Sequence, residues 1–215
     1  LSRGRSIFIR TPNNRTILIG AGQNSEIIRE LTKQMPFYGR NLDIAVVPSA
    51  TPAQIGGFLE IVDRYTIGEV YIPKIIATST ILDQVERSIR QKKIHIQEVQ
   101  RGDEMEIEKG LTIKILFPDI DFKFNKTSLP ELGLDIEYKQ TSVYLFGNLS
   151  KTIQKSIAKE ISISNQQSIV EFYNSGAETK VSNVLLDTIN PKYIWNTKEK
   201  TTSLISDGFS WEKIR

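Results

Sequence analysis

The chain has 215 residues, 39% of them hydrophobic and 25% charged, with a net charge of +3, a balance that suits a soluble globular domain with a well-buried core and leaves no apolar run of membrane-spanning length. With no cysteine, both a disulfide framework and a thiolate metal site are excluded. The single histidine, His95, denies a di-zinc hydrolase the imidazoles it needs once cysteine is absent.

Basic charge gathers at the front, where Arg3, Arg5, Arg10, Arg15, Arg29, Lys33 and Arg40 face only Glu26 and Glu30. Ser6 to Arg10 and Thr16 to Ile19 read as a hairpin turned at Thr11-Pro12-Asn13-Asn14, because Pro and Asn supply turn geometry between β-rich runs. Ser25 to about Met35 has a capping serine and Ile27, Ile28 and Leu31 at helical spacing. Asp43–Val47 is a strand that breaks at Pro48. After it Thr51 is placed to cap a helix, Pro52 suits its first turn, and Ile55, Phe58, Leu59 and Val62 form its inner side.

Gly68–Pro73 is the next strand, Thr80–Gln91 a helix on Ile81, Leu82, Val85 and Ile89, and Lys93–Val99 a strand that carries His95 as a surface or half-buried residue. This βαβα rhythm implies helices covering sheet faces. Gly102 to Phe117 reads as two strands about the turn Lys109-Gly110, followed by strands at Asp135–Tyr138 and from Thr141. A helix over Ser150–Ile161 presents Ile153, Ile157 and Ile161, then come a strand at Ser168–Phe172, a helix at Val184–Ile189, a strand near Tyr193, and Ser203–Ile205 with a terminal strand. Thr16–Ile72 and Ser142–Trp195 run through the same order of elements, a weak internal repeat.

The run Ile44-Ala45-Val46-Val47-Pro48-Ser49-Ala50-Thr51-Pro52-Ala53-Gln54-Ile55-Gly56-Gly57 resembles the signature loop of the metallo-β-lactamase fold, T-H-x-D-x-D-H followed by I-G-G. In that register the ligand positions fall on Ser49, Thr51, Ala53 and Gln54. The opening S-R-G-R-S-I-F-I-R-T-P is similar to the start of the hydrolase domain of ComEC-type DNA-uptake (competence) proteins. Ile17-Leu18-Ile19-Gly20-Ala21-Gly22 stands where they have I-L-I-D-G-G, so Gly20 replaces an aspartate. Gly102-Asp103 to Pro118, Asn125–Leu129 and Asn190–Ile194 resemble further family segments, with Pro130–Gly133 as an insertion. Asn148 stands for the metal-bridging aspartate, and Asn174 and Ser175 stand for two histidines.

The resemblance implies an α/β fold, the αββα four-layer sandwich, as a single domain over residues 1–215 built of two pseudo-repeated halves. The chain opens inside a strand motif without a signal peptide, which is the expectation for a domain excised from a longer protein. With the ligand positions lost, the expectation is no metal, no cofactor and no catalysis. The implied role is to bind or guide DNA, or to dock other uptake proteins or the membrane channel of the same chain, as the soluble domain of a bacterial membrane-associated protein. Arg3, Arg5, Arg10 and Arg15 are the candidate DNA-phosphate contacts.

A scaffold with no nucleic-acid partner is the alternative, in which the arginines are a solvated sheet edge. A third reading is a nuclease with a relocated magnesium site at Asp119 and Asp121. The backbone N–H groups around Gly20, Ala21, Gly22, Asn148 and Gly176 are a candidate phosphate cradle. The hydroxyls of Ser49, Thr51 and Ser175 lack a nearby base, and capping or turn bonding accounts for them.

Overall fold

The computed structural model describes residues 4–35, 39–74, 79–119, 122, 131–161, 167–172, 181–196 and 203–214. The chain divides into two compact units, Leu1–Val99 with Asp121–Leu129, and Gln100–Ile120 with Pro130–Arg215.

In the first unit, β1 (Ile7–Arg10) and β2 (Thr16–Ile19) form the expected antiparallel hairpin, and β3 (Asn41–Val46), β4 (Thr66–Pro73) and β5 (His95–Val99) extend the sheet in chain order, each parallel to the last. Parallel neighbours need crossovers, and helices supply them: α1 (Glu26–Gln34), α2 (Pro52–Ile55) with α3 (Phe58–Arg64), and α4 (Thr80–Gln91). Leu18, Ala45 and Val70 are register partners on one sheet face and share a buried cluster with Ile27, Leu31, Phe58, Ile61, Val85 and Ile89 of the helices. Ile17, Ile19, Ile44 and Val46 alternate with them and are also buried, which is why these strands read as continuous apolar runs.

Two helix starts differ from the sequence reading. Ser25 makes no side-chain cap; instead Asn24 Oδ1 accepts the Glu26 N–H at 3.1 Å. Thr51 likewise makes no cap, since its hydroxyl is engaged with Ser49. The helix expected after Pro52 is broken at Gly56-Gly57. A Cβ on Gly56 would lie 2.2 Å from the Gln23 carbonyl oxygen, and one on Gly57 2.2 Å from that of Ala21. The β2 loop therefore presses on the chain where only glycine leaves room.

The second unit holds a six-stranded sheet in the order β11-β10-β9-β8-β7-β6. β6 (Glu104–Glu108), β7 (Leu111–Phe117), β8 (Gly133–Tyr138) and β9 (Thr141–Leu145) are antiparallel, while β10 (Gln167–Phe172) and β11 (Tyr193–Asn196) continue from β9 in parallel. The parallel crossovers are α5 (Lys151–Ala158) and α6 (Asn183–Ile189). Ser150 caps α5 through the Ile153 N–H, but the helix stops at Ala158 and buries Gln154, Ile157 and Ala158 rather than an all-isoleucine stripe. Gln154 is buried because it works as a clamp, donating to the Leu149 carbonyl at 2.7 Å and accepting the Ser182 N–H at 2.7 Å, which fixes the start of α6. A hairpin of β12 (Ser203–Ser206) and β13 (Trp211–Ile214) closes the described chain. Among the described residues no helix is long and apolar enough to cross a membrane.

Candidate functional site

Loops at the carboxyl ends of parallel strands are where α/β proteins commonly place their chemistry. In the first unit these are the turn after β2 and the loop after β3. The phosphate cradle expected at the first does not form, because each N–H already has an internal acceptor. Gly20 N donates to the Val46 carbonyl at 3.0 Å, Ala21 N to that of Gln54 at 2.8 Å, and Gly22 N to that of Arg5 at 3.1 Å. Gly20 has φ +70°, and a Cβ there would lie 2.9 Å from the Arg5 carbonyl oxygen, so glycine serves the turn geometry.

The β3 loop is equally occupied. Ser49 is fully buried; its Oγ lies 3.0 Å from Thr51 Oγ1 and accepts the Thr51 N–H at 3.3 Å. Ala50 is held from the far side by Ser79, whose hydroxyl donates to the Ala50 carbonyl at 2.7 Å while capping α4. Ala53 offers no donor atom, and the Gln54 side chain is 3% exposed.

In the second unit the equivalent loop follows β9. Asn148 lies in this loop, and its Oδ1 is shut from solvent without a hydrogen-bond partner. Beside it Gly147 (φ +50°) lies directly under the Glu131 carboxyl, since a Cβ would come within 2.2 Å of Glu131 Oε2. Glu131 is 1% exposed and Glu171, on β10, fully buried. Neither carboxylate was expected from the sequence, where Glu131 falls in a segment read as an insertion. Asn174, Ser175 and Gly176 lie outside the described residues.

A metal pair needs carboxylate, imidazole or thiolate donors, and these described loop residues do not supply them: the Ser49 and Thr51 hydroxyls are bonded to each other, Ala53 and Gly20 carry no side-chain donor, and Gln54 and Asn148 are neutral amides. His95 is distant in role, a β5 residue with a 71% exposed side chain, 3.9 Å from Glu69 Oε1. Among the described residues no group of three His, Cys, Asp or Glu side chains is arranged to hold a metal ion. Asp119 is ion-paired with Arg101, which also bonds Glu160 at 3.2 Å and the Leu116 carbonyl at 2.7 Å. Asp121 lies outside the described residues.

The arginine strip does not assemble as expected. Arg5 is 3% exposed and offers no guanidinium to a polyanion. Arg10 is exposed, with Nη2 on the Gln34 carbonyl. Arg15 is 42% exposed, with Nε 3.9 Å from Asp43 Oδ1. Arg3 lies outside the described residues.

A polar face that the sequence reading missed runs across β7, β8 and β9, where Lys114, Asp135 and Tyr144 are register partners and Glu137 pairs with Ser142. Lys114 Nζ binds Glu137 Oε1 at 2.8 Å. Burial, then the nearby Glu137 carboxylate, pushes the Asp135 carboxyl up to about 8. The same burial raises the Tyr144 phenol, as it does that of Tyr71, whose hydroxyl donates to Glu69 Oε2 at 2.9 Å. The alternation T-I-K-I and L-D-I-E was visible in the sequence, but not which strands would stand side by side.

No protein-family model matches the chain, and no curated protein matches it. Solved structures do. CmlA, a diiron β-hydroxylase from Streptomyces venezuelae, superposes with a TM-score of 0.58 at 14% identity over 91% of this chain and 43% of its own. A diphosphatase of the PhnP family superposes with a TM-score of 0.51 at 8% identity over 89% of this chain and 71% of its own. The chain thus spans less than half the length of CmlA. Its fold is the mixed α/β metallo-β-lactamase fold.

Proposed function

We propose that this chain is a non-catalytic metallo-β-lactamase-fold domain that docks a partner within a larger assembly. The observation that carries the reading is the internal satisfaction of the strand-end loops: the Gly20, Ala21 and Gly22 N–H groups and the Ser49 and Thr51 hydroxyls are spent on the protein itself. Polar groups that hold each other in the β2 and β3 loops are not free to orient a substrate or a metal-bound water there. The sequence resemblance to ComEC-type DNA-uptake proteins supplies the class of assembly, a soluble domain of a bacterial membrane-associated protein.

The test is thermal unfolding with and without zinc, manganese, magnesium or ferrous iron, alongside turnover assays on β-lactam, phosphodiester and DNA substrates. The expected result is no turnover and an unchanged Tm. A metal that binds only the folded state at a hundredfold excess over its Kd adds about 2.7 kcal/mol, so a rise of several degrees with any metal overturns the reading.

DNA guidance is the second reading, favoured by the exposed Arg10 and the partly exposed Arg15 of the first hairpin. Arg10 is the register partner of Thr16, the residue that follows Arg15. Duplex affinity that falls steeply with salt and is lost in Arg10→Ala with Arg15→Ala supports it; no binding at low salt removes it.

A further inference from the structure

Exposed aromatic rings and lysines gather at one end of the second unit, where the β8–β9 turn, the start of β10, the start of β11 and the closing hairpin meet. Gln167 is the hub. Its carbonyl accepts the Trp211 indole N–H at 3.0 Å, its side-chain Oε1 accepts Lys192 Nζ at 3.0 Å, and its N–H donates to the Gln140 carbonyl at 3.0 Å. Gln140 N in turn donates to the Gly208 carbonyl at 2.8 Å, and Thr141 and Ser206 hydroxyls lie 2.9 Å apart. The hairpin is thereby bound to the sheet, and its tip residue Phe209 is held out at 55% exposure.

Each exposed ring carries a cation over one face. Lys139 Nζ lies 4.9 Å from the Tyr138 ring centroid and 5.5 Å from that of Phe209, and Lys192 Nζ lies 5.5 Å from that of Tyr193. Tyr193 is 46% exposed. Lys213 shares the face of β13 with Trp211 by the two-residue period. Of the acids nearby, Asp207 is engaged by the Phe209 and Ser210 N–H groups at 2.7 and 2.8 Å, and Glu212 alternates to the other face.

A ring with a lysine over one face and about half its surface open offers that remaining surface for stacking and the cation for a phosphate, the combination that single strands require. We infer that this end of the second unit binds single-stranded nucleic acid, with bases stacked on Phe209 and Tyr193 and phosphates on Lys139, Lys192 and Lys213. The inference stands on this surface alone and is independent of the first-hairpin arginines and of the docking role proposed above.

The experiment is fluorescence anisotropy of the full chain with a labelled oligo-dT of about 15 nucleotides, a length that spans one binding platform, against a duplex of equal length across a salt series. The single strand is expected to bind more tightly than the duplex, with Phe209→Ala and Tyr193→Ala each weakening it about tenfold. Phe209→Tyr should retain binding, and Lys139→Gln or Lys192→Gln should each lower the salt slope by about 0.7. Unchanged far-UV dichroism in the Phe209 variants separates contact from folding. Absence of binding at low salt, equal affinity for duplex, or indifference to both ring variants overturns the inference. So does self-association that the ring variants abolish while no oligonucleotide binds, which would make the surface a protein interface.

Discussion

Ser49 and Thr51 hold each other: their hydroxyl oxygens lie 3.0 Å apart in the loop that follows β3. The pair is structural, so Ser49→Ala should cost about 1 kcal/mol, the worth of a buried hydrogen bond, and lower Tm by about 2–4 °C in a chain of this size. Ser49→His, which introduces a metal-ligand type at a fully buried site, should destabilise by overpacking and bring no zinc with it. Calorimetry of both variants with and without zinc decides. A zinc-dependent rise in the histidine variant would mean that the surrounding donors are still arranged for metal.

Arg101 organises the loop that could have held magnesium. Its side chain is 17% exposed and reaches Asp119, Glu160 and the Leu116 carbonyl, whereas Asp119 is 41% exposed. Asp119→Ala should therefore cost under about 1 kcal/mol, as half-exposed ion pairs do. Arg101→Ala removes the carbonyl bond as well and should cost about 2 kcal/mol. Urea midpoints measure both, and magnesium should shift neither. A magnesium-dependent stabilisation of the parent that Asp119→Ala abolishes would revive the relocated-site nuclease.

Local signals were legible in the sequence and long-range ones were not. The helix around Thr80–Gln91 was legible because its apolar stripe of Ile81, Leu82, Val85 and Ile89 lies within one short window. The hairpin of β1 and β2 was read for the same reason. The break at Gly56-Gly57 was missed because it depends on carbonyls of Ala21 and Gln23, more than thirty residues upstream. The loss of ligand residues was visible as residue types, but what replaced them was not: Glu131 against Gly147 and the burial of Arg5 follow from tertiary packing. The Lys139–Phe209 contact joins residues seventy positions apart, with no spacing rule to announce it.

Two glycines separate steric from conformational demand. Gly57→Ala would put its Cβ 2.2 Å from the Ala21 carbonyl oxygen and 2.8 Å from that of Asn24, both backbone, so the β2 loop must move. The cost should exceed about 3 kcal/mol, in the range of severe core changes. Gly102→Ala has open space around it but φ +92°, so only backbone strain opposes it, about 1–2 kcal/mol. Chemical denaturation of the two variants should keep that order. Equal losses would mean that the Gly56-Gly57 break yields easily and does not anchor the loops.

Asp135 makes the stability of the second unit depend on pH in the sense opposite to an ordinary salt-bridged carboxylate. It is 4% exposed with Oδ1 lacking a hydrogen-bond partner, and the adjacent Lys114 cation is committed to Glu137 at 2.8 Å. Its carboxyl is pushed up to about 8 from an ordinary 3.8, first by burial and then by Glu137, against the weaker pull of Lys114 and Ser142. Between those values the folded chain keeps a proton that the unfolded chain has released, so stability falls as pH rises. The contribution is fully present below about pH 3.8 and is lost progressively as pH climbs through about 8. Two other shifted groups act outside that window: Asp207 is lowered by its turn N–H groups and acts at more acid pH, and Lys114 is raised and acts at more basic pH. Asp135→Asn, neutral at every pH, should match the parent near pH 5 and exceed it near pH 9, flattening the slope of urea midpoint against pH. A variant that is weaker than the parent by the same amount across the range would show that Asp135 is ionised in the folded chain and held by Lys114 after all.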